Sequence, residues 1–254
     1  MTEYAGQGDP GRTLALLWGK AAGPKRGPRQ ATSVEEIVDA AVRIADRHGL
    51  DGVTMRAVGQ ELGRTAMSLY TYVPGRGELL DLMYDSVHQD LGTIGPAPAK
   101  GRGRGAYWRK AVTHWCTELR DLYLTHPWLL QISAARPVLG PHEQAALETL
   151  LAVLAESGLP LKERPAATSA LFSVVQGAAR QRIESANAQD PEWWRARAQA
   201  LAEAAPDFAE RFPHSVAIAA RQATLGDKPW ERAAEEAFIG AINLILEGIT
   251  TRTT

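Results

Sequence analysis

Two threonines, Thr54 and Thr65, each stand just before a short stretch with helical apolar spacing, where a side-chain hydroxyl can accept the free amide of a helix start. After Thr54, Met55, Val58 and Leu62 recur at intervals of three and four, giving one apolar edge to a helix that Gly63 ends. After Gly63-Arg64, Thr65 opens a second helix. In it Met67 and Tyr70 sit three apart, and Ala66, Ser68, Thr71 and Tyr72 are left to other faces until Pro74-Gly75 stops it. Two helices about a glycine turn are the form of a helix-turn-helix, whose chemistry is hydrogen bonding to phosphates and base edges in a DNA major groove. The same spacing also suits two ordinary packed helices.

The elements that must hold this stretch lie on both sides of it. Ser33-Val34-Glu35-Glu36 is a capping box, and it opens a helix with Ile37, Ala41, Ile44 and Ala45 on one face and Gly49 at its end. Leu50 and Val53 can then pack beneath the pair. Past the turn, Leu79, Leu82, Met83, Ser86 and Val87 give a fourth helix to about Leu91. Residues 1–31, rich in Gly, Pro and basic side chains, read as a flexible basic arm. Within it, Arg12 to Trp18 suits an amphipathic turn or two that docks elsewhere, or plain disorder. Lys25, Arg26 and Arg29 suit phosphate tracking or minor-groove entry, or a solvated charge run.

Leu62-Gly63, then Leu69-Tyr70-Thr71-Tyr72-Val73, then Glu78-Leu79-Leu80-Asp81 resemble the DNA-binding domain of the TetR family of bacterial one-component repressors. The resemblance runs from about Ser33 to Leu91. It implies an operator-binding unit over 32–91 and a larger helical ligand-binding and dimerisation domain over 105–250. Carried over by position, it puts Arg56 where a guanidinium reaches a guanine edge, and Arg64, Thr65, Ala66 and Ser68 at the exposed start of the recognition helix. Tyr70, Thr71, Tyr72 and Arg76 match positions that meet phosphate or base edges, and Thr54 and Thr65 can aim helix amides at phosphate. For each residue a solvated or packing role is the alternative, and for Tyr70 a place in the core. Ala66, Met67 and Thr71 depart from the tetracycline repressor itself, so a shared operator is not expected.

Charge and composition agree with this reading. The net charge of −1 is unevenly spread: Arg12, Lys20, Lys25, Arg26 and Arg29 have no acid among them, while residues 33–91 carry more acids than bases. DNA affinity must then come from a few placed cations and helix ends, not from overall charge. With 45% hydrophobic residues over 254 positions, the chain can bury a large core without staples. One cysteine, Cys116, excludes an intrachain disulfide and fits a reducing cytoplasm. His114 and Cys116, two apart on a helix, point apart, and no metal or other cofactor is implied. No apolar run approaches the ~20 residues of a membrane span. No nucleophile elbow, phosphate loop, zinc motif or spaced acid pair supports an enzyme.

Residues 92–104, Gly and Pro rich, mark the domain boundary; beyond them helical patterns follow one another, so the fold class is all-α. In the TetR family two long helices of the second domain form a four-helix bundle with a second subunit. The resembling segments here are 165–185 and 230–249, with Ala178, Ala179, Ala237, Gly240 and Ala241 allowing close approach; burial within the monomer is the alternative. Such a homodimer sets two recognition helices about 34 Å apart on a palindromic operator. The chain has seven tryptophans, which suggests aromatic surface beyond core demand. The candidate lining for a small, apolar or aromatic ligand is His114, Trp115, Trp128, Gln131, Arg136, Phe172, Gln176 and Trp193. A constitutive or protein-regulated DNA-binding protein without a small ligand is the alternative.

Overall fold

The structure, a computed structural model, describes residues 3–20, 32–89, 91, 104–133, 136–187, 191–225 and 229–253. Lys25, Arg26, Arg29 and the 92–103 part of the boundary segment lie outside the described residues.

Ser33 caps α2 (Val34–His48) through the reciprocal box: its Oγ accepts the Glu36 amide at 3.1 Å, and Glu36 Oε2 accepts the Ser33 amide at 3.2 Å. The inward face of α2, including Ile37, Ala41, Ile44 and Ala45, is buried under α3 (Met55–Leu62) and α5 (Arg76–Val87), with the short α4 (Ala66–Leu69) between them. Leu50 and Val53 fill the space beneath, as their position before α3 suggested.

The second domain begins with α6 (Arg104–Thr125). It continues through a 3-10 turn at Pro127–Gln131, α7 (Pro141–Glu156), α8 (Arg164–Asn187), α9 (Pro191–Ala204), α10 (Phe208–Arg211), α11 (Pro213–Ala223) and α12 (Pro229–Thr253). Helix α8 packs against α6 on one side and α12 on the other. Trp108, Val112, Trp115 and Leu119 from α6, Leu171 and Val175 from α8, and Phe238, Ile242 and Leu246 from α12 are buried there. By contrast, α9 to α11 stand almost wholly exposed, with Trp193, Trp194, Leu201, Phe212 and Ile218 among their uncovered apolar side chains. The all-α expectation holds, apart from one two-residue parallel ladder in which Glu3 and Tyr4 pair with Ile132 and Ser133.

Residues 3–20 are folded, which corrects the flexible-arm reading over that part of 1–31, and of the two readings of Arg12 to Trp18 the docked amphipathic turns hold. Pro10 at the first position of α1 (Pro10–Leu17), an Asp9 carboxylate accepting the Arg12 amide, and burial of Thr13 and Leu17 make this helix. Helix α1 lies on α5.

Candidate functional site

The helix-turn-helix is built by local chemistry at three points. Thr54 Oγ1 accepts the Ala57 amide at 3.1 Å, and Thr65 Oγ1 accepts the Ser68 amide at 3.3 Å, so both threonines are N-caps. Between them Gly63 takes a left-handed φ of 64°, which a residue without Cβ adopts at little cost. Gly59 is required for a different reason: a Cβ there would stand 2.8 Å from the Arg64 carbonyl oxygen, so the turn folds directly onto α3.

Leu69 and Val73 turn inward, fully buried, while Met67 is 77% and Tyr70 46% exposed. Met67 and Tyr70, three apart, therefore both lie outside, and the core alternative for Tyr70 does not hold. In a helix of one turn, spacing does not say which face is inside, and contact with the α2–α5 core selects Leu69. Thr54, Arg56, Arg64, Thr65, Ser68, Tyr70 and Thr71 are exposed; Ala66 and Tyr72 are half-buried against the core. Arg56 is exposed and makes no ion pair with another described residue. Arg76 sits elsewhere. Its Nη2 donates to the Leu50 carbonyl at 3.0 Å and its Nε to that of Val53 at 3.3 Å, so it braces the α2–α3 connection instead of facing outward. On the flank, Arg47 and Arg43 pair with Glu61 at 2.7 and 3.5 Å, and the Arg47 hydrogen bond holds that carboxyl below its ordinary value.

The eight residues expected to line one ligand cavity are not brought together. Trp115 is buried, its indole donating to the Ala146 carbonyl at 3.0 Å with its ring edge-on to Phe172, and Gln176 reaches the Tyr123 hydroxyl at 3.4 Å. These share the α6–α8 core. His114 is exposed beside Glu118, Gln131 and Arg136 are exposed, and Trp193 is half exposed against Trp194 with Arg197 over its ring. Trp128 is buried at the domain junction, bonded to Asp46 of α2. Two other hollows are present among the described residues: an open one of about 660 Å³ between α7 and α8, lined by Leu147, Leu151, Leu161, Arg164 and Thr168, and a cleft of about 190 Å³ between α6, α8 and α12. The cleft is lined by Arg120, Leu124, Ala178, Arg182, Glu231, Ala234, Glu235 and Phe238. Its charges are matched in pairs, Arg120 with Glu235 at 2.6 Å and Arg182 with Glu231 at 3.2 Å, and Arg120 covers the Phe238 ring. Arg120, Arg182, Glu231 and Glu235 were not legible beforehand, because polar groups facing a cleft look in sequence like any solvated helix face.

Sequence reading also missed the junction carboxylates. Asp46 Oδ1 accepts both the Trp128 indole at 2.8 Å and His126 Nδ1 at 2.7 Å. Asp85 Oδ1 accepts the first free amides of α7, His142 at 3.0 Å and Glu143 at 2.8 Å. Burial pushes Asp85 above the ordinary aspartate range, with the Glu143 amide pulling against it. A signal existed: Glu78, Asp81 and Asp85 interrupt an otherwise apolar run at helical spacing, and buried acids need partners.

Of the close-approach residues, Ala179 is buried inside the monomer and Ala178 lines the cleft. The outward faces are Ala166, Ser173 and Gly177 on α8 and Ala237, Leu244 and Gly248 on α12. A Cβ added at Gly177, Gly240 or Gly248 would meet nothing within 4 Å.

A capped helix-turn-helix set on a larger helical domain through a polar junction is the build of a one-component DNA-binding transcriptional regulator. The chain belongs to the TetR family: residues 30–83 match "Bacterial regulatory proteins, tetR family" and residues 97–253 match "Tetracyclin repressor-like, C-terminal domain". It is 42% identical over 206 residues to the HTH-type transcriptional repressor DrrR1 of Streptomyces coeruleorubidus, covering 79% of this chain and 74% of that protein. Apo ActR from Streptomyces coelicolor is similar with a TM-score of 0.67 at 28% identity, over 88% of this chain and 97% of that one. The complex of ActR with actinorhodin gives 0.64 at 27%, over 87% and 96%.

Proposed function

We propose that this regulator is a cytoplasmic homodimeric repressor that holds a palindromic operator through α3 and α4 and is released by a small, apolar or aromatic molecule. The observation that carries the DNA half is the sidedness of α3 and α4. Leu69, Val58 and Met55 anchor them inward, and Arg56, Arg64, Thr65, Ser68, Tyr70 and Thr71 are left on the outer side. Hydroxyls there suit phosphates and Arg56 suits a guanine edge. Arg76 is not counted among the DNA contacts. The proposed dimer face is the outer stripe of α8 and α12, where small residues let backbones approach and Leu244, 71% exposed, offers an apolar anchor.

For the ligand, the support is the likeness to ActR, a structure of which holds actinorhodin, together with the cleft between α6, α8 and α12. The alternative is a regulator without small ligand: the cleft, at about 190 Å³, is smaller than the roughly 300–1,000 Å³ of ordinary small-molecule pockets, whereas the more open hollow of about 660 Å³ between α7 and α8 falls within that range. Fluorescence anisotropy with DNA flanking the regulator's own gene, at one stated salt concentration and with and without actinorhodin as a probe, tests both halves. Saturable, sequence-specific binding lost in Arg56→Ala supports the operator reading. Release by the probe supports the ligand reading, and binding indifferent to the probe and to a panel of other planar aromatics favours the alternative.

A further inference from the structure

Residues 3–18 run across the junction of the two domains and touch both. At one end, Glu3 and Tyr4 form the parallel ladder with Ile132 and Ser133 of the helical domain. At the other, the Trp18 indole donates to the Leu139 carbonyl, also in the helical domain, at 3.1 Å. Between these ends the segment crosses α5, the last helix of the DNA-binding unit. The Gly6 amide donates to Asp81 Oδ1 at 2.8 Å and the Asp9 amide to Glu78 Oε1 at 3.0 Å. The crossing is close: a Cβ on Gly77 would lie 2.9 Å from the Gly8 nitrogen, and one on Gly8 would meet side chains, Thr13 Oγ1 at 2.7 Å and the Glu78 carboxyl carbon at 2.8 Å. Asp81 is 1% exposed, and its second oxygen has no partner among the described residues. Its hydrogen bond therefore comes from the crossing segment, and unseating that segment would leave a buried carboxyl without one.

From this arrangement we propose that residues 3–18 are a strap that sets the tilt of α5, and with it the recognition helix, relative to the helical domain. The strap is anchored to that domain at both ends and holds α5 in the middle, so α5 cannot tilt without breaking the Gly6–Asp81 and Asp9–Glu78 bonds or dragging the anchors. Helix α4 lies just before α5 in the chain, so any tilt of α5 moves α4. A regulator needs an element that makes different contacts in its two states, and the strap supplies a set that depends on both domains at once. This deepens the regulator reading and rests on it for its consequence in DNA binding, though not for its geometry.

The test uses the full chain with strap substitutions that lie outside both cores: Gly6→Pro, which removes the amide and the positive φ of 69°, combined with Gly8→Val. Trp18→Ala is the milder second variant, because its ring is half exposed. Spin labels at Met67→Cys on α4 and Glu118→Cys on α6, diluted with unlabelled chain, report the distance between recognition helix and helical domain by dipolar spectroscopy without DNA. Hydrogen exchange of the 3–18 peptide reports whether the strap is seated, and anisotropy on unlabelled protein reports operator affinity. The expected result is a protected strap and a narrow distance distribution in the parent. In the variants protection is lost, the distribution broadens or shifts, and operator affinity changes by about fivefold or more. Three outcomes overturn the proposal: an unprotected strap in the parent, a strap still protected in the variants, or lost protection with an unchanged distance distribution. If no form binds DNA, the regulator reading fails while the distance measurement still judges the strap.

Discussion

Asp46 and Trp128 belong to different domains, and the buried indole of one donates to a carboxylate oxygen of the other at 2.8 Å. His126 shares that oxygen, so one side chain of α2 receives two donors from the turn that follows α6. Asp46→Ala is expected to leave the Trp128 N–H buried without its acceptor and to lower stability by about 1–3 kcal/mol, seen in chemical unfolding. Asp46→Asn, which keeps an acceptor oxygen, should lose less.

Two arginines of the DNA-binding unit should separate cleanly. Arg56→Ala is expected to weaken operator binding by about 1–3 kcal/mol with stability changed by less than about 0.5 kcal/mol, because the side chain is exposed. Arg76→Ala should do the reverse, lowering the melting temperature by releasing the Leu50 and Val53 carbonyls, with DNA affinity falling only as the fold loosens. Equal effects of both on DNA affinity, at matched folded fraction, would count against the placement of Arg76.

The turn geometry makes Gly59→Val the most damaging substitution expected in α3. A side chain there meets the Arg64 carbonyl and must push the turn off the helix, at about 1–3 kcal/mol, with loss of operator binding. Gly63→Ala should cost only about 1 kcal/mol, from the positive φ alone. Urea unfolding and anisotropy on both variants check the order.

His88, 4% exposed, bonds the Tyr84 carbonyl through Nδ1 at 2.7 Å, and burial holds its pKa below the ordinary 6.5, with His126 and His142 nearby pushing the same way. The folded chain thus keeps His88 neutral where the unfolded chain protonates it. Its contribution is present above pH about 6.5 and is lost as pH falls below that. Asp81 and Asp85 act oppositely at lower pH. Burial raises both above 3.8, so between their folded values and 3.8 the native state takes up protons first and gains stability as pH falls. Melting temperatures recorded between pH about 7.5 and about 5.5 should decline in the parent and decline less in His88→Gln.

If α8 and α12 form the dimer face, Leu244→Glu should yield a folded monomer by analytical ultracentrifugation, since the side chain is 71% exposed and supports no monomer core. A dimer persisting in that variant would move the interface elsewhere, with the exposed apolar face of α9 to α11 the next place to look.

Much of the fold was legible in advance because its signals are local. The Ser33 capping box, the threonine caps before α3 and α4, Gly63, and the apolar repeats of α6 and α12 act within one or two turns of chain, where backbone and neighbouring side chains decide the outcome. The ligand lining was not legible. Trp115 and Trp128 look alike in sequence, yet one buries its ring in the α6–α8 core and the other bridges to Asp46.

The order of amino acids by itself determined the helical class, the helix-turn-helix, its outward threonines and Arg56, and the family. Only the tertiary structure decided that Leu69 and not Met67 faces inward, that Arg76 turns to backbone carbonyls, and that residues 3–18 cross α5 instead of trailing in solvent. The physical reason is the same in each case. These outcomes depend on a partner far away in the chain, an open carbonyl, a buried carboxylate or a core surface, and nothing in the local spacing of residues encodes where that partner will be.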